Sequence, residues 1–331
     1  MCHNPKAAKR CVKLYLPVYS IAMHRPIFAI AGPTASGKTA LGVELAKKVG
    51  GEVVNFDSVQ IYREIEIATA KPSAAEMQGI PHHLIGYVDP RVNYTAADWA
   101  RDAAEKLAEI ESRGRVPILV GGTGFYLRTL VNPLFESPKT DARLRERLRG
   151  LNREKGPEHL HRLLSRVDPG SASALFPRDH VRVIRALEVF FQTGTQLSSR
   201  QQERLPRPEF AERLRLFVLN PPRDELYALI DRRTEKHFED GLVEEVIRLR
   251  ALGIGDSTNA LGSHGYRRVC EFLRGERTLA DAVGRTKQDI RNYAKRQLTW
   301  FRAEDAAHWL SGFGIDSSVV GEVCSLAVGG G

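Results

Sequence analysis

No C-x-x-C pair occurs in this chain. Its four cysteines, Cys2, Cys11, Cys270 and Cys324, are scattered. Neither a zinc site nor a disulfide framework is supported, and reduced thiols in a cytoplasmic compartment are expected. No run of about 18 apolar residues exists, which leaves no helix of spanning length and no expected membrane partner. Internal repeats and low-complexity tracts are also lacking. What is present is ordinary for a globular protein, with 42% hydrophobic and 27% charged residues. A length of 331 residues exceeds one small domain and suits one large α/β domain carrying an insertion. A monomer is expected. The net charge of +9 suits a polyanionic partner, because neutralising phosphates drives affinity.

Residues 1–25 read as detached from the fold. Lys6, Lys9 and Arg10 precede an apolar stretch from Val12 to Ala22, which superficially resembles a signal peptide. Lys13 interrupts it, and Ala22-Met23-His24 is a poor cleavage site. A disordered extension is expected, or a start codon assigned upstream of Met23.

From Pro26 onward the pattern alternates. Short apolar runs at 26–31, 52–56 and 116–120 read as buried parallel strands, and 39–49 and 96–113 as helices. Beyond Pro133 strand signals vanish until 214–219. The stretch between is helical and dense in arginine, over 141–149, 158–166 and 179–192. The remainder is mostly helical, including 223–252 and 279–301. The expected fold is therefore α/β: a P-loop NTPase-like parallel sheet flanked by helices, with an inserted all-helical domain. The catalytic core is expected over 26–133 and 207–315, the insertion over 134–206, and a flexible tail over 316–331.

The segment Gly32-Pro33-Thr34-Ala35-Ser36-Gly37-Lys38-Thr39 matches G-x-x-x-x-G-K-[ST] between a strand and a helix. Backbone N–H groups of such a loop and the helix N-terminus cradle phosphate oxygens. Lys38 adds a point charge, and the Thr39 hydroxyl can ligate Mg²⁺. The motif does not say which phosphate compound binds. An ordinary P-loop ATPase ends another strand with a Mg²⁺-binding aspartate, but the run 116–120 ends in Gly121-Gly122-Thr123. The acid lies instead after the second strand, at Asp57. Ligands of open parallel sheets sit at the carboxyl ends of strands, which sets Asp57 and Thr123 beside the P-loop. From position alone Asp57 can hold metal through water, cap the next helix, or act as a base.

Further segments follow in order: Asp57-Ser58-Val59-Gln60-Ile61-Tyr62-Arg63, Thr69-Ala70-Lys71-Pro72, Pro81-His82-His83-Leu84, Tyr94-Thr95-Ala96-Ala97-Asp98 and Val120-Gly121-Gly122-Thr123-Gly124. Later come residues 182–189, Gly265-Tyr266-Arg267 and Lys295-Arg296-Gln297-Leu298-Thr299-Trp300. With these the chain, over about residues 26–310, resembles the bacterial tRNA dimethylallyltransferase (tRNA isopentenyltransferase) family. The resemblance implies transfer of a dimethylallyl group from dimethylallyl diphosphate, with Mg²⁺ as cofactor. The acceptor would be the exocyclic N6 amine of the adenine 3′-adjacent to the anticodon, in tRNAs reading codons that begin with U. It implies Asp57 as base, Thr123 near the reacting centre, and Arg233 on the diphosphate. It further implies that Asp57, Ser58, Val59, Gln60, Phe125, Arg182, Arg185, Gly265, Tyr266 and Arg267 face the tRNA anticodon stem-loop. Without the resemblance, Arg233 reads as a helix surface charge, and Trp300 reads mostly as core.

The chain departs from the family pattern at Glu64 and Ala68, where glycine is usual, and at Arg178 and Arg268. The zinc finger of eukaryotic members is absent. A P-loop small-molecule kinase would use the same loop but needs an arginine lid over ATP. A relative that prenylates free AMP or ADP needs no large basic surface. A nucleic-acid-binding ATP switch needs the strand-end acid that Gly121-Gly122-Thr123 does not supply.

Overall fold

The computed structural model describes residues 25–135, 138–203 and 205–329. The extension expected over 1–25 thus falls, Arg25 apart, outside the described residues. In chain order the elements are β1 (Ile27–Ala31), α1 (Lys38–Val49), β2 (Gly51–Asn55), α2 (Ala74–Met77), β3 (His82–His83), α3 (Ala96–Ser112), β4 (Val116–Val120) and α4 (Gly124–Val131). Five helices follow: α5 (Ala142–Lys155), α6 (Pro157–Val167), α7 (Pro169–Ala174), α8 (His180–Thr193) and α9 (Leu197–Gln202). The chain then forms β5 (Leu214–Leu219), α10 (Arg223–Glu239), α11 (Leu242–Ala251), α12 (Tyr266–Leu273), α13 (Leu279–Phe301), β6 (His308–Leu310) and α14 (Ser317–Val328).

The six strands form one sheet in the order β3-β2-β4-β1-β5-β6, and every pairing is parallel. Residues of β1 alternate between two cores. Ile27, Ala29 and Ala31 join Trp99, Ala103, Leu107 and Ile110 of α3, while Phe28 and Ile30 join Leu41 and Leu45 of α1. The period of two is what a strand covered on both faces requires, and it explains why its sequence reads as an unbroken apolar run. The expected P-loop-like α/β sheet is therefore the fold observed.

The helices α5 to α9 have a core of their own, built from Leu148, Leu160, Leu164, Val183, Ile184 and Leu187. Two buried carboxylates tie it together. Asp168 accepts from the hydroxyls of Ser171 at 2.6 Å and Ser198 at 2.5 Å. Glu188 takes a bidentate pair of bonds from Arg145 at 2.8 and 2.6 Å.

Three expectations need correction. The helix expected over 223–252 is two, α10 and α11, because Gly241 adopts φ 96° between them. The tail expected to be flexible over 316–331 contains α14, whose Val319 and Val323, four residues apart, bury against Leu41 and Leu45 of α1. The sheet also has two further edge strands, β3 and β6, too short to leave a periodic signal. Among the described residues no helix is long and apolar enough to cross a membrane.

Candidate active site

The P-loop joins β1 to α1 with an unusual backbone. Gly32 has φ 148°, Ala35 φ 65° and Gly37 φ 85°. Gly37 is the N-cap of α1 and offers no side chain to the first turn, so the amides there keep their capacity for an anion. The Ser36 hydroxyl is buried without a hydrogen-bond partner among the described residues. A buried orphan oxygen at a phosphate loop fits a ligand that brings its own acceptors. Residues 34–39 line a cleft of 920 Å³, while Gly32 and Pro33 are buried beneath it.

Lys38 donates to the Pro33 carbonyl at 2.6 Å. Burial pulls its pKa down from 10.5 to about 8, the nearby Asp57 carboxylate raises it, and Arg233 lowers it further. Desolvation of the ammonium is the largest of these effects, and a bound anion would reverse it.

Asp57 enters the same cleft two residues beyond β2. Its Oδ1 accepts from the N–H groups of Val59 at 2.9 Å and Gln60 at 3.3 Å. No hydrogen bond reaches Oδ2 among the described residues, so one carboxylate oxygen orients the group and the other is available for chemistry. Thr123 stands next to the lining residues. Its hydroxyl accepts from the Ser58 N–H at 3.0 Å and donates to Ser58 Oγ at 3.3 Å. Arg233 lines the cleft from α10 with Glu76 and Asp57 as its electrostatic neighbours, and burial lowers its pKa. The surface-charge reading of Arg233 is thereby set aside.

Gln60 is more constrained than its position suggests. Its Nε2 donates to the carbonyls of Thr69 at 3.2 Å and Ala70 at 2.9 Å. Both amide protons are committed, and Oε1 is what it offers to the cleft.

The residues expected against tRNA do not form one surface. Arg182, on α8, lines a second, basic groove of 690 Å³ with Arg128, Lys295, Arg296 and Trp300. Phe125, 44% exposed, packs edge-on against Trp300 with ring centroids 6.2 Å apart. The Arg128 guanidinium lies over that indole, 4.4 Å from its centroid. Arg185 is tied to Glu188 at 3.3 Å and to the Pro138 carbonyl at 2.8 Å. Arg267 is exposed and paired with Glu271 at 3.2 Å. Tyr266 corrects its expectation: it is 0% exposed, its hydroxyl donates to Glu245 at 2.8 Å and accepts from the Ala68 N–H. Its ring faces core, and Gly265, with φ 85°, starts the helix that carries it.

Two departures also acquire a physical setting. Glu64 occupies φ 66°, a left-handed conformation that costs a side chain about 1 to 2 kcal/mol. Arg268 bonds to Asp289 at 2.7 Å and Glu271 at 2.9 Å, joining α12 to α13. Sequence reasoning did not assign Tyr293 and Gln297 of α13 to this cleft, although both line it. The signal available was the mix of cations and aromatics at Tyr293, Lys295, Arg296 and Trp300, which suits single-stranded or flipped bases.

The family model described as IPP transferase matches residues 60–304. A protein of Koribacter versatilis (strain Ellin345) described as tRNA dimethylallyltransferase is 46% identical over 301 residues, 91% of this chain and 97% of that relative. One of Myxococcus xanthus (strain DK1622), described in the same words, is 47% identical over 288 residues, 87% of this chain and 93% of the relative. Among solved structures, the full-length tRNA isopentenylpyrophosphate transferase of Bacillus halodurans has TM-score 0.67 at 37% identity, covering 92% of this chain and 96% of its own. A eukaryotic dimethylallyltransferase acting on tRNA has TM-score 0.73 at 28% identity, covering 89% and 75%. With the family match spanning most of the sequence and relatives near half identical along nearly their full length, this chain belongs to the IPP transferase family.

Proposed function

We propose that this protein transfers the dimethylallyl group of dimethylallyl diphosphate to the N6 amine of the adenine 3′-adjacent to the anticodon, in tRNAs that read codons beginning with U. The observation that carries the reading is the cleft itself, which holds a phosphate loop and a half-free carboxylate, Asp57, together. The C–O bond to diphosphate breaks, the C–N bond forms, and the amine proton passes to Asp57. An adenine amine is a weak nucleophile, so removal of its proton as the bond forms matters. The P-loop amides, Lys38 and Arg233 take up the negative charge that grows on the leaving diphosphate.

Mg²⁺ fits this site as a partner of the diphosphate oxygens. Among the described residues no group of three or more His, Cys, Asp or Glu is placed to hold a metal, while the Thr39 hydroxyl opens on the cleft. When bound, the ion would offset charge on the leaving group.

The acceptor base must leave its stack to reach Asp57, at a cost of a few kcal/mol. Gln60 Oε1 suits an adenine N6–H and opposes a guanine O6, since both of its own protons are used. The groove around Arg182, Lys295 and Arg296 suits the phosphates of the stem-loop, and a tRNA substrate puts the work in the cytoplasm. The test is to incubate the protein with labelled dimethylallyl diphosphate, Mg²⁺, and either tRNA or AMP. Label on tRNA is expected. Label on AMP alone, or on neither, overturns the reading.

A further inference from the structure

Tyr293, Gln297 and Trp300 lie at i, i+4 and i+7 on α13, along one side of the helix. Gln297 is 4% exposed, and its amide reaches backbone groups on two different loops. The Thr34 N–H of the P-loop donates to its Oε1 at 2.9 Å. Its Nε2 donates to the Gly122 carbonyl at 2.9 Å. Gly122 directly precedes Thr123, whose hydroxyl is bonded to Ser58 beside Asp57. A single buried side chain therefore bridges the loop that holds phosphate and the loop that carries the acceptor-side residues.

The glycines of Gly121-Gly122-Thr123-Gly124 match this helix face. A Cβ on Gly122 would overlap Gln297 Nε2, and a Cβ on Gly124 would overlap the Trp300 indole. Tyr293 extends the row, its hydroxyl facing Thr123 and Gln297. The amide is the group this junction demands. The Thr34 N–H needs an acceptor and the Gly122 carbonyl needs a donor, and a carboxamide presents both on one short plane without having to hold a proton. A hydrocarbon would leave two backbone groups unmet.

Taking the transfer reaction above as given, we propose that Gln297 is a positioning residue that sets the separation between the diphosphate cradle and the Asp57–Thr123 pair. The allylic carbon and the amine must approach within about 3 to 3.5 Å, and a displacement near 1 Å costs roughly 10²-fold in rate. The P-loop has a second anchor, because the Gly314 N–H donates to the Ser36 carbonyl at 2.8 Å. Loss of Gln297 thus shifts the cradle without dismantling it.

Gln297→Ala and Gly122→Ala disturb the same contact from opposite ends. Three quantities are read on folded protein: tRNA affinity, affinity for pyrophosphate with Mg²⁺, and single-turnover rate with both substrates saturating. Each variant should keep wild-type tRNA affinity and lose about two- to tenfold in pyrophosphate affinity, the net worth of a neutral hydrogen bond. The saturated rate should fall by roughly 10²-fold. A merely structural role would lower the melting temperature without this split. The double variant should be no slower than the slower single, since the truncated side chain makes room for the new methyl. Additive losses, a wild-type rate, or a loss confined to tRNA affinity overturns the proposal. Should both alanine variants fail to fold, Gln297→Glu fills the same space and keeps the Thr34 acceptor; a wild-type rate there also overturns it. A wild-type chain inactive on tRNA would refute the proposed function instead, while pyrophosphate affinity still reports whether Gln297 seats the loop.

Discussion

Lys38 makes donor binding sensitive to alkali in a defined window. In the proposed reaction the ammonium is the form that holds diphosphate, and desolvation in the cleft brings its pKa down to about 8. A lysine in water keeps its charge to above pH 10. Here the charge is fully present below pH 7 and is lost as pH rises through about 8. At pH 9 about one molecule in eleven is protonated, which weakens binding by about tenfold, or about 1.4 kcal/mol. The donor's own phosphate protons titrate near pH 6, so its charge stays constant across the window. Isothermal titration of dimethylallyl diphosphate with Mg²⁺ from pH 7 to 9.5 measures the effect. The dissociation constant should be flat at first and then rise towards tenfold per pH unit. Lys38→Arg keeps its charge throughout, so it should bind more weakly but without the rise. Because the Asp57 carboxylate raises the Lys38 pKa, Asp57→Asn should move the rise to lower pH. A wild-type constant that does not change up to pH 9.5, or a rise that persists in Lys38→Arg, refutes the reasoning.

Asp57→Ala should lower single-turnover transfer by about 10² to 10⁴, the usual scale for a lost general base; a change confined to Mg²⁺ dependence would assign Asp57 to the metal. Replacing Arg182 and Arg185 by glutamine should weaken tRNA binding and flatten its salt dependence, with donor affinity unchanged. Equal slopes for wild type and variant would remove the basic groove from the tRNA face. Gln60→Ala should reduce discrimination between adenine and guanine at the target position by about tenfold, one hydrogen bond's share, and a fluorescent adenine analogue there should brighten as stacking is lost. An analogue that stays quenched in a productive complex argues against extrusion.

How far the sequence could be read depended on the range of each interaction. The P-loop was legible because its glycines, Lys38 and Thr39 act within eight consecutive residues flanked by a strand and a helix. The bounds of β4 were legible because burial on both faces makes an apolar run. Edge strands β3 and β6 have two and three residues, too few for any period to register. Gly241 was visible, but a glycine alone does not distinguish a helix break from a tolerated helical residue. The roles that stayed hidden are those made by distant partners. Tyr266, expected against tRNA, is held in the core by Glu245 and Ala68, which claim its hydroxyl. Gln297 looks like one polar residue on a long helix until its bond to Thr34, 263 positions away, is seen.

That separation has a consequence for how the protein is made. A ribosome adding about 5 to 20 residues per second takes roughly a quarter of a minute to a minute to span the 263 positions from Thr34 to Gln297. Throughout that interval the nascent chain carries a complete phosphate-loop motif with neither of its anchors, since Gly314 comes later still. Donor binding is therefore among the last properties acquired in synthesis. A stalled product that ends before α13 keeps the motif's residues but not the cradle, and it should not sequester the diphosphate that finished molecules use.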